Sequence, residues 1–544
     1  MIEAFWIPLL PPYLIGLVLS FAVEALLTPR PVAPWRRPLA AVGVHVGVWT
    51  LAFALELMLF RRPYFAVANV LAIELLIVLV SNAKYQALRE PFVYPDFEYF
   101  TDAIKHPRLY LPFFGVGRAV ISGGGYGLAL WAGLTLEDSV TAGAGVWLVS
   151  FADLPQEHMF DPTAPTVPFY SHSFGLAVAG FLAIKLSLRN CKASFVADPD
   201  LAKLGLIASL CAYARQERTP LPGLALAKPF SVSGGAARVP SPLPDLVVVQ
   251  SESFFDARRF YPQIRTDVLA NYDRLKSEAN YSGVLHVAAR GANTVRTEFS
   301  FLSGVGAEGL GVHRYNPYRR LAAQGFPTIA SYLRSQGYRT VCVHPYHATF
   351  YQRNNIYPLL GFDEFVDISA FKDAERAGPY VGDRAVAEKV IGMLRSTARG
   401  PLYVHVITME NHGPLHWEEV SAQDAAQVLG QGIPDGCEDL VAYARHLVNA
   451  DAMFGALRET LIAGPRPAAL CVFGDHVPIM PAVYQKLGEP DGATDYLVWR
   501  SESAASGAEH ALAIEHLSGL FLRNAGFHLP APELDAVSAN ASAQ

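Results

Sequence analysis

Long apolar runs crowd the first ~190 residues of this 544-residue chain, and they set what that part can fold into. A run of roughly 20 apolar residues makes a helix that crosses a bilayer, because lipid offers the backbone no outside hydrogen-bond partner. The legible runs are about Phe5 to Leu27, Leu39 to Phe60, Phe65 to Ser81, Leu111 to Leu134 and Phe174 to Leu188. Arg118 and Gly123-Gly124-Gly125 interrupt the fourth. The stretch Ala142 to Phe151 is too short to cross and ends at Asp153, so it reads as interfacial or re-entrant. The N-terminus has no basic n-region or small-residue cleavage site, so the first run reads as a retained span. Residues 1–190 are expected to form a transmembrane domain of about five spans.

Loop charges point both ways. Arg30, Arg36 and Arg37 follow the first run and argue for a cytoplasmic loop there. Arg61 and Arg62 follow the second and argue the reverse, while the Lys- and Arg-free stretch Glu137 to Ser171 reads as external. Residues 191–244 read as a juxtamembrane helix, "LAKLGLIASLCAYARQ", and a Pro-, Gly- and Ser-rich linker, "ERTPLPGLALAKPFSVSGGAARVPSPLP". Residues 530–544 are small and polar and read as a disordered tail. The net charge of −6 leaves no basic face for nucleic acid. Five scattered cysteines include no CxxC pair; Cys342 and Cys471 sit in apolar runs and read as buried thiols.

Residues 245–529 alternate between short β-branched runs and helical patterns, which indicates an open α/β sheet. The strands are "DLVVVQ" (245–250), "RTVCVH" (339–344), "PLYVHVI" (401–407) and "AALCVFG" (468–474). Such sheets bind ligands at the carboxyl ends of their strands. The residues just past each strand are chemically rich: Glu252 after the first; His344 and His347 after the second; Glu410, Asn411 and His412 after the third; Asp475-His476 after the fourth. Carboxylates and imidazoles converging on one edge suggest a metal-centred site, and this donor set suits Mn²⁺, Mg²⁺ or Zn²⁺. In "ARGANTVRTEFSFLSG", Thr294 stands where a loop enters a helix that reads as starting near Thr297. It is either an ordinary cap, with Glu298 as a first-turn acid, or a nucleophile at a helix N-terminus.

The ordered set Glu252, Thr294 in "GANTVRTEF", and Asp475-His476 in "FGDHVP" resembles the lipoteichoic acid synthase family, within the alkaline phosphatase and sulfatase-like superfamily. "ENHGP" puts His412 where that family has a substrate-contacting histidine, and "FYQRN" resembles its aromatic-x-Arg element. "NAKYQALREPFVYPDF" (82–97) resembles a family element after the third span. The resemblance implies an N-terminal α-helical transmembrane bundle plus a C-terminal α/β sulfatase-like (alkaline phosphatase-type) domain. It implies Glu252, Asp475, His476 and Thr294 as metal ligands, with Mn²⁺ the first choice over Mg²⁺ or Zn²⁺. Thr294 becomes the nucleophile and His412 a catalytic group; Arg353, Tyr351, His412 and His347 become substrate contacts.

The implied reaction moves glycerol phosphate from phosphatidylglycerol to an envelope glycan or polyglycerolphosphate through a covalent threonine intermediate. The implied location is the cytoplasmic (inner) membrane, with the catalytic domain on the periplasmic or extracellular side. A phosphoethanolamine transferase or a phosphodiesterase of the same superfamily is the alternative. Tyr351 stands where the family more usually has tryptophan, and "ANTVRT" carries less Gly, Ser and Asp than usual. The Cys/Ser-x-Pro-x-Arg motif of true sulfatases is absent, which argues against sulfate-ester hydrolysis.

Overall fold

In the computed structural model the described residues are 2–98, 115–141, 166–219, 229–231, 239–396, 400–502, 507 and 509–529. The interfacial stretch 142–151 and the tail 530–544 lie outside them. The chain divides into two compact units, Met1–Pro220 and Leu221–Gln544.

The first unit is helical: α1 (Ile2–Glu24), α2 (Leu39–Phe60), α3 (Pro63–Leu88), α4 (Val116–Leu136) and α5 (Thr166–Leu188), then α6 (Ala197–Leu204) and α7 (Leu206–Arg218). By length and composition, three described segments are long and apolar enough to cross a membrane: Leu39–Phe60, Pro63–Leu88 and Val167–Leu188. Large apolar side chains on them stay exposed, among them Leu55, Leu59, Ile73, Phe174 and Leu186. That is the composition of a lipid-facing surface. Helices α2 and α5 meet where both lack side chains: a Cβ on Gly180 would lie 2.7 Å from the Leu51 backbone nitrogen. Small residues at such a crossing let backbones approach closely.

The juxtamembrane segment expected as one helix is two, α6 and α7, because Gly205 between them has φ +83, which ends a right-handed helix. Of the arginines that confused the loop charges, Arg30 and Arg36 are exposed and three others are tied into the fold. Arg37 is buried against Glu24. Arg61 donates to Thr141 at 3.3 Å and Arg62 to the Glu137 carbonyl at 2.5 Å. The Glu137 carboxylate in turn accepts the N–H groups of Tyr64 and Phe65 at 2.9 and 2.7 Å. The end of α4 therefore lies beside the α2–α3 turn. At the opposite end of the unit, Lys84 bridges Glu90 and Asp96, both at 2.6 Å, and the Val32 N–H bonds the Ala202 carbonyl at 2.9 Å. The "NAKYQALREPFVYPDF" element is thus a polar knot at the end where α6 and α7 begin.

The second unit holds β1 (Asp245–Ser251), β2 (Tyr281–His286), β3 (Arg339–Val343), β4 (Glu364–Val366), the hairpin β5 (Arg376–Ala377) and β6 (Tyr380–Val381), β7 (Leu402–Ile407), β8 (Ala468–Gly474), β9 (Thr494–Arg500) and β10 (Leu512–Ala513). Eight of them form one sheet in the order β10-β2-β9-β8-β1-β7-β3-β4. The four strands read from sequence are the contiguous centre, β8-β1-β7-β3, all parallel. Their side chains are buried on both faces: Val247 and Val249 join one core, Leu246 and Val248 the other. That is why they read as unbroken apolar runs rather than as alternation. The sheet is mixed, not wholly parallel, since β9 runs antiparallel to both β8 and β2. The five cysteines are all unpaired, with Cys342 and Cys471 buried as expected.

Gly474 closes β8 under the carbonyl of Phe254, where a Cβ would lie 1.7 Å from that oxygen. Gly474→Ala must push the backbone apart and is expected to cost about 3 kcal/mol. A thermal melt of the full-length protein in detergent reads this as a large drop in Tm; an unchanged Tm would mean the strand end yields freely.

Candidate active site

Strand pairing assembles the site. The parallel register sets Ser251 beside Gly474, so the next residues, Glu252 and Asp475, emerge together. On the other side β7 lies against β1, and the Glu252 N–H bonds the Thr408 hydroxyl at 2.9 Å. Ser253 takes a left-handed conformation, φ +53, and turns its N–H onto Asp475 Oδ1 at 2.9 Å. Its hydroxyl donates to Glu252 Oε1 at 3.0 Å and lies 3.2 Å from His476 Nδ1. Glu252, Asp475 and His476 thereby bring one donor atom each within 4.8 Å of one another, all buried. His476 Nε2 is 3.4 Å from Glu252 Oε1 and 3.7 Å from Asp475 Oδ2.

Asp475 Oδ2 and His476 Nε2 are buried without a hydrogen-bond partner. Other buried atoms in the described residues also lack a partner, but here two of them belong to adjacent ligand-type side chains facing a second carboxylate. Burial, reinforced by the Asp475 charge, raises the Glu252 carboxyl to about 8. Two acids and an imidazole in this arrangement fit a divalent cation, whose charge would relieve the repulsion.

Thr294 opens α8 (Thr294–Ser303) and is buried. The helix starts three residues earlier than the sequence pattern suggests, because Asn293 in the left-handed region, φ +67, turns the chain directly into it. Glu298 is therefore no first-turn acid. The Thr297 hydroxyl, one turn on, donates to the Asp475 carbonyl at 2.8 Å and pins the opening turn of α8 beside the acid–imidazole triad.

The other sequence candidates divide. Arg353 is buried, 1% exposed, and its Nη2 donates to Glu298 Oε2 at 2.8 Å. Its Nε donates to the Tyr357 hydroxyl at 3.2 Å, and Nη1 lies 3.3 Å from His344 Nε2. His344 Nδ1 is 3.1 Å from the Ile407 carbonyl, which can only accept, so His344 faces Arg353 with a lone pair. Burial and the Arg353 charge lower His344 to about 3, so it stays neutral. Tyr351 is half-buried with its ring 5.2 Å from the Arg353 guanidinium carbon. His347 is exposed and packs edge-on against Tyr346, ring centroids 5.3 Å apart.

His412 is half-buried, and its Nδ1 lies 2.8 Å from the Gly413 carbonyl, which leaves Nε2 as the basic nitrogen. Burial lowers its pKa, while the Gly413 carbonyl and Asp475 pull the other way. Glu410 turns aside: it accepts the Asp383 N–H and the Asn449 amide, both at 2.6 Å. Sequence reading gave no role to Thr408, which holds the Glu252 backbone, or to Tyr380, whose hydroxyl is 3.3 Å from His412 Nδ1. Tyr380 comes from a two-residue strand of a side hairpin, and no periodicity marks so short an element.

The sulfatase family matches residues 244–517, half of the chain and the whole of the central sheet. The chain belongs to the sulfatase family. The capsular polysaccharide biosynthesis protein RkpI of Rhizobium meliloti is 30% identical over 292 residues, 52% of this chain and 51% of that one. Lipoteichoic acid synthase 1 of Bacillus subtilis is 27% identical over 156 residues, 28% of this chain and 23% of that one. The chain thus spans about half the length of the first relative and a smaller part of the second. Among solved structures, the integral membrane lipooligosaccharide phosphoethanolamine transferase A of Neisseria meningitidis superposes with a TM-score of 0.50 at 12% identity, over 88% of this chain and 87% of that one. At that identity the likeness is one of fold: a helical membrane region followed by a sulfatase-like α/β domain.

Proposed function

We propose that this protein is a membrane-bound, metal-dependent phosphoglycerol transferase that takes glycerol phosphate from phosphatidylglycerol and passes it to an envelope glycan. The observation that carries the reading is the buried Glu252–Asp475–His476 triad, with orphaned donor atoms, pinned through Thr297 to the helix that Thr294 opens. Glu252, Asp475 and His476 would hold the cation, with Thr294 as a fourth ligand and Mn²⁺ as its first candidate. When bound, it supplies Lewis-acid charge that favours an ionised threonine and a polarised phosphoryl oxygen.

Thr294 Oγ attacks the phosphorus of the lipid head group; the bond to diacylglycerol breaks, and a glycerophospho-Thr294 ester remains. The threonine proton leaves to solvent on ionisation. His412, once protonated on Nε2, gives that proton to the departing diacylglycerol oxygen, and the neutral imidazole so formed takes one from the acceptor hydroxyl when that hydroxyl displaces Thr294. Arg353 binds the non-bridging phosphate oxygens through its remaining N–H groups. Tyr351 and His347 line the approach to it. Long apolar helices fit a donor that never leaves the bilayer. The relatives support transfer onto a surface polymer, since one is named for capsular polysaccharide and another for lipoteichoic acid.

We place the catalytic domain on the outer face of the cytoplasmic membrane, after five spans. The chain leaves the helical unit through α6 and α7 at the end away from the α2–α3 turn, as an odd number of crossings requires. This placement puts the exposed Arg30 and Arg36 outside and Glu137, at the end of α4, inside, against the charge reading of both loops; Arg37 is paired with Glu24 and does not count fully as a free loop charge.

The test supplies vesicles of phosphatidylglycerol labelled in the glycerol head group to the Mn²⁺-loaded protein and maps adducts by peptide mass spectrometry. A glycerophosphate adduct on Thr294 with diacylglycerol release is the expected result. An adduct only from phosphatidylethanolamine would replace the donor. Turnover to free glycerol phosphate without transfer to any glycan would make the protein a hydrolase.

A further inference from the structure

Glu298 enters no step above, yet it is fully buried and bonded on both oxygens. It follows Thr294 by four residues on α8, so the two side chains share one helix face a turn apart. Its Oε2 accepts Arg353 Nη2 at 2.8 Å, and its Oε1 accepts the hydroxyls of Tyr318 and Tyr357. The Tyr357 hydroxyl also receives the Arg353 Nε–H, and His344 Nε2 faces Nη1, so the guanidinium is gripped from three directions. Three of its five N–H groups are used, which leaves two, on Nη1 and Nη2, for a ligand. Burial alone would raise the Glu298 carboxyl, but the Arg353 charge and the hydroxyls hold it at about 2. The pair is therefore charged throughout the working range. Thr297, on the same helix as Glu298, bonds the Asp475 carbonyl at 2.8 Å, so the helix that carries this network also touches the triad.

An ordinary structural ion pair would not need to bridge these particular elements. This one runs from the threonine-bearing helix to the arginine at the end of the aromatic-x-Arg turn. We infer that Glu298 is a positioning residue: it fixes the Arg353 guanidinium relative to the Thr294 hydroxyl, so that a phosphate held by the arginine presents its phosphorus to the threonine. The Tyr318 and Tyr357 hydroxyls set the rotamer of Glu298. This rests on the transfer reading above, in which Arg353 binds phosphate. It adds that the nucleophile and its phosphate clamp are built as one unit, through a side chain that touches no substrate.

The experiment is a double-mutant cycle on the full-length, Mn²⁺-loaded protein in detergent. It reads p-nitrophenol release from bis(p-nitrophenyl) phosphate, a diester with the same reacting centre and no lipid. Glu298→Gln and Arg353→Lys should each lower kcat ~100-fold, the scale of a misplacement near 1 Å. The double variant should be within about threefold of either single one, because Glu298 acts only through Arg353. Bound Mn²⁺ per chain should be unchanged. Losses that multiply, or a Glu298→Gln kcat within about threefold of the parent, would overturn the assignment. Should Glu298→Gln fail to fold, Tyr318→Phe loosens the carboxylate without exposing a buried charge. It should cost ~10-fold in kcat in the parent and nothing further in Arg353→Lys; equal losses in both would again refute the role. Because the diester carries no glycerol, a negative labelling experiment with phosphatidylglycerol would sink the donor assignment and leave this result standing.

Discussion

Thr294→Ala should cut diacylglycerol release from phosphatidylglycerol vesicles by ~10⁴-fold or more, with no adduct on the protein. The size follows from what alanine removes. Glu252, Asp475 and His476 remain, so three of the four proposed cation ligands and the proposed phosphate clamp persist, but the atom proposed to form the new bond is gone. Thr294→Ser keeps that atom and should retain activity within about tenfold, since the backbone of the opening turn of α8, tied by Thr297 to Asp475, sets its place. The paired variants separate chemistry from folding, because the serine and alanine proteins differ by one oxygen. If the alanine variant kept a tenth of the parent rate, a water molecule would be the attacking group and the covalent route would be wrong.

Stripping divalent metal should make the protein progressively less stable as the pH rises from about 5 to 8. Glu252 titrates at about 8 in the folded protein, against 4.5 for an unperturbed glutamate. The group's folded pKa is raised, so between those values the folded state holds a proton that the unfolded chain has released. Rising pH then favours unfolding, by up to about 1.4 kcal/mol for each pH unit. Metal should cancel the trend. If it binds the Glu252 carboxylate as proposed it must displace that proton, so its affinity should climb about tenfold per unit up to pH 8 and then level off. Melts of EDTA-treated and Mn²⁺-loaded protein at pH 5.5, 7 and 8.5 test both halves at once. The gap in Tm between the two should widen with pH. A gap independent of pH would show that Glu252 carries no titrating proton at the site.

Glu252, Asp475 and His476 were legible because each lies just past a strand buried on both faces, and such strands write themselves as unbroken β-branched runs. The step from strand end to shared edge needed only the rule that parallel strands present their carboxyl ends together. Strands β2, β4, β9 and β10 were not read. They are short, or lie toward the sheet edges, or pair antiparallel, and their sequences carry weaker runs. The helical segments were located because lipid demands length and apolarity from one continuous stretch, but α3 runs on to Leu88 beyond the expected end at Ser81, and α5 begins at Thr166 ahead of the expected Phe174. Which way the loops face was not legible from charge, since Arg37, Arg61 and Arg62 spend theirs on bonds inside the fold.

Sequence by itself therefore determined the division into a helical membrane part and an α/β part, the central strands, and the residue types at their ends. Those are local properties, carried by periodicity and by the residues at each strand's carboxyl end. Only the tertiary structure decided that Arg353 is gripped by Glu298, Tyr357 and His344, that Thr297 ties the threonine helix to Asp475, and that Thr408 and Tyr380 support the site. Glu298 and Arg353 are 55 residues apart, and Glu252 and Thr408 are 156. No local pattern encodes such a pairing; it arises when strand order and the core on each face of the sheet bring distant loops to one edge, where a buried charge must find its partner.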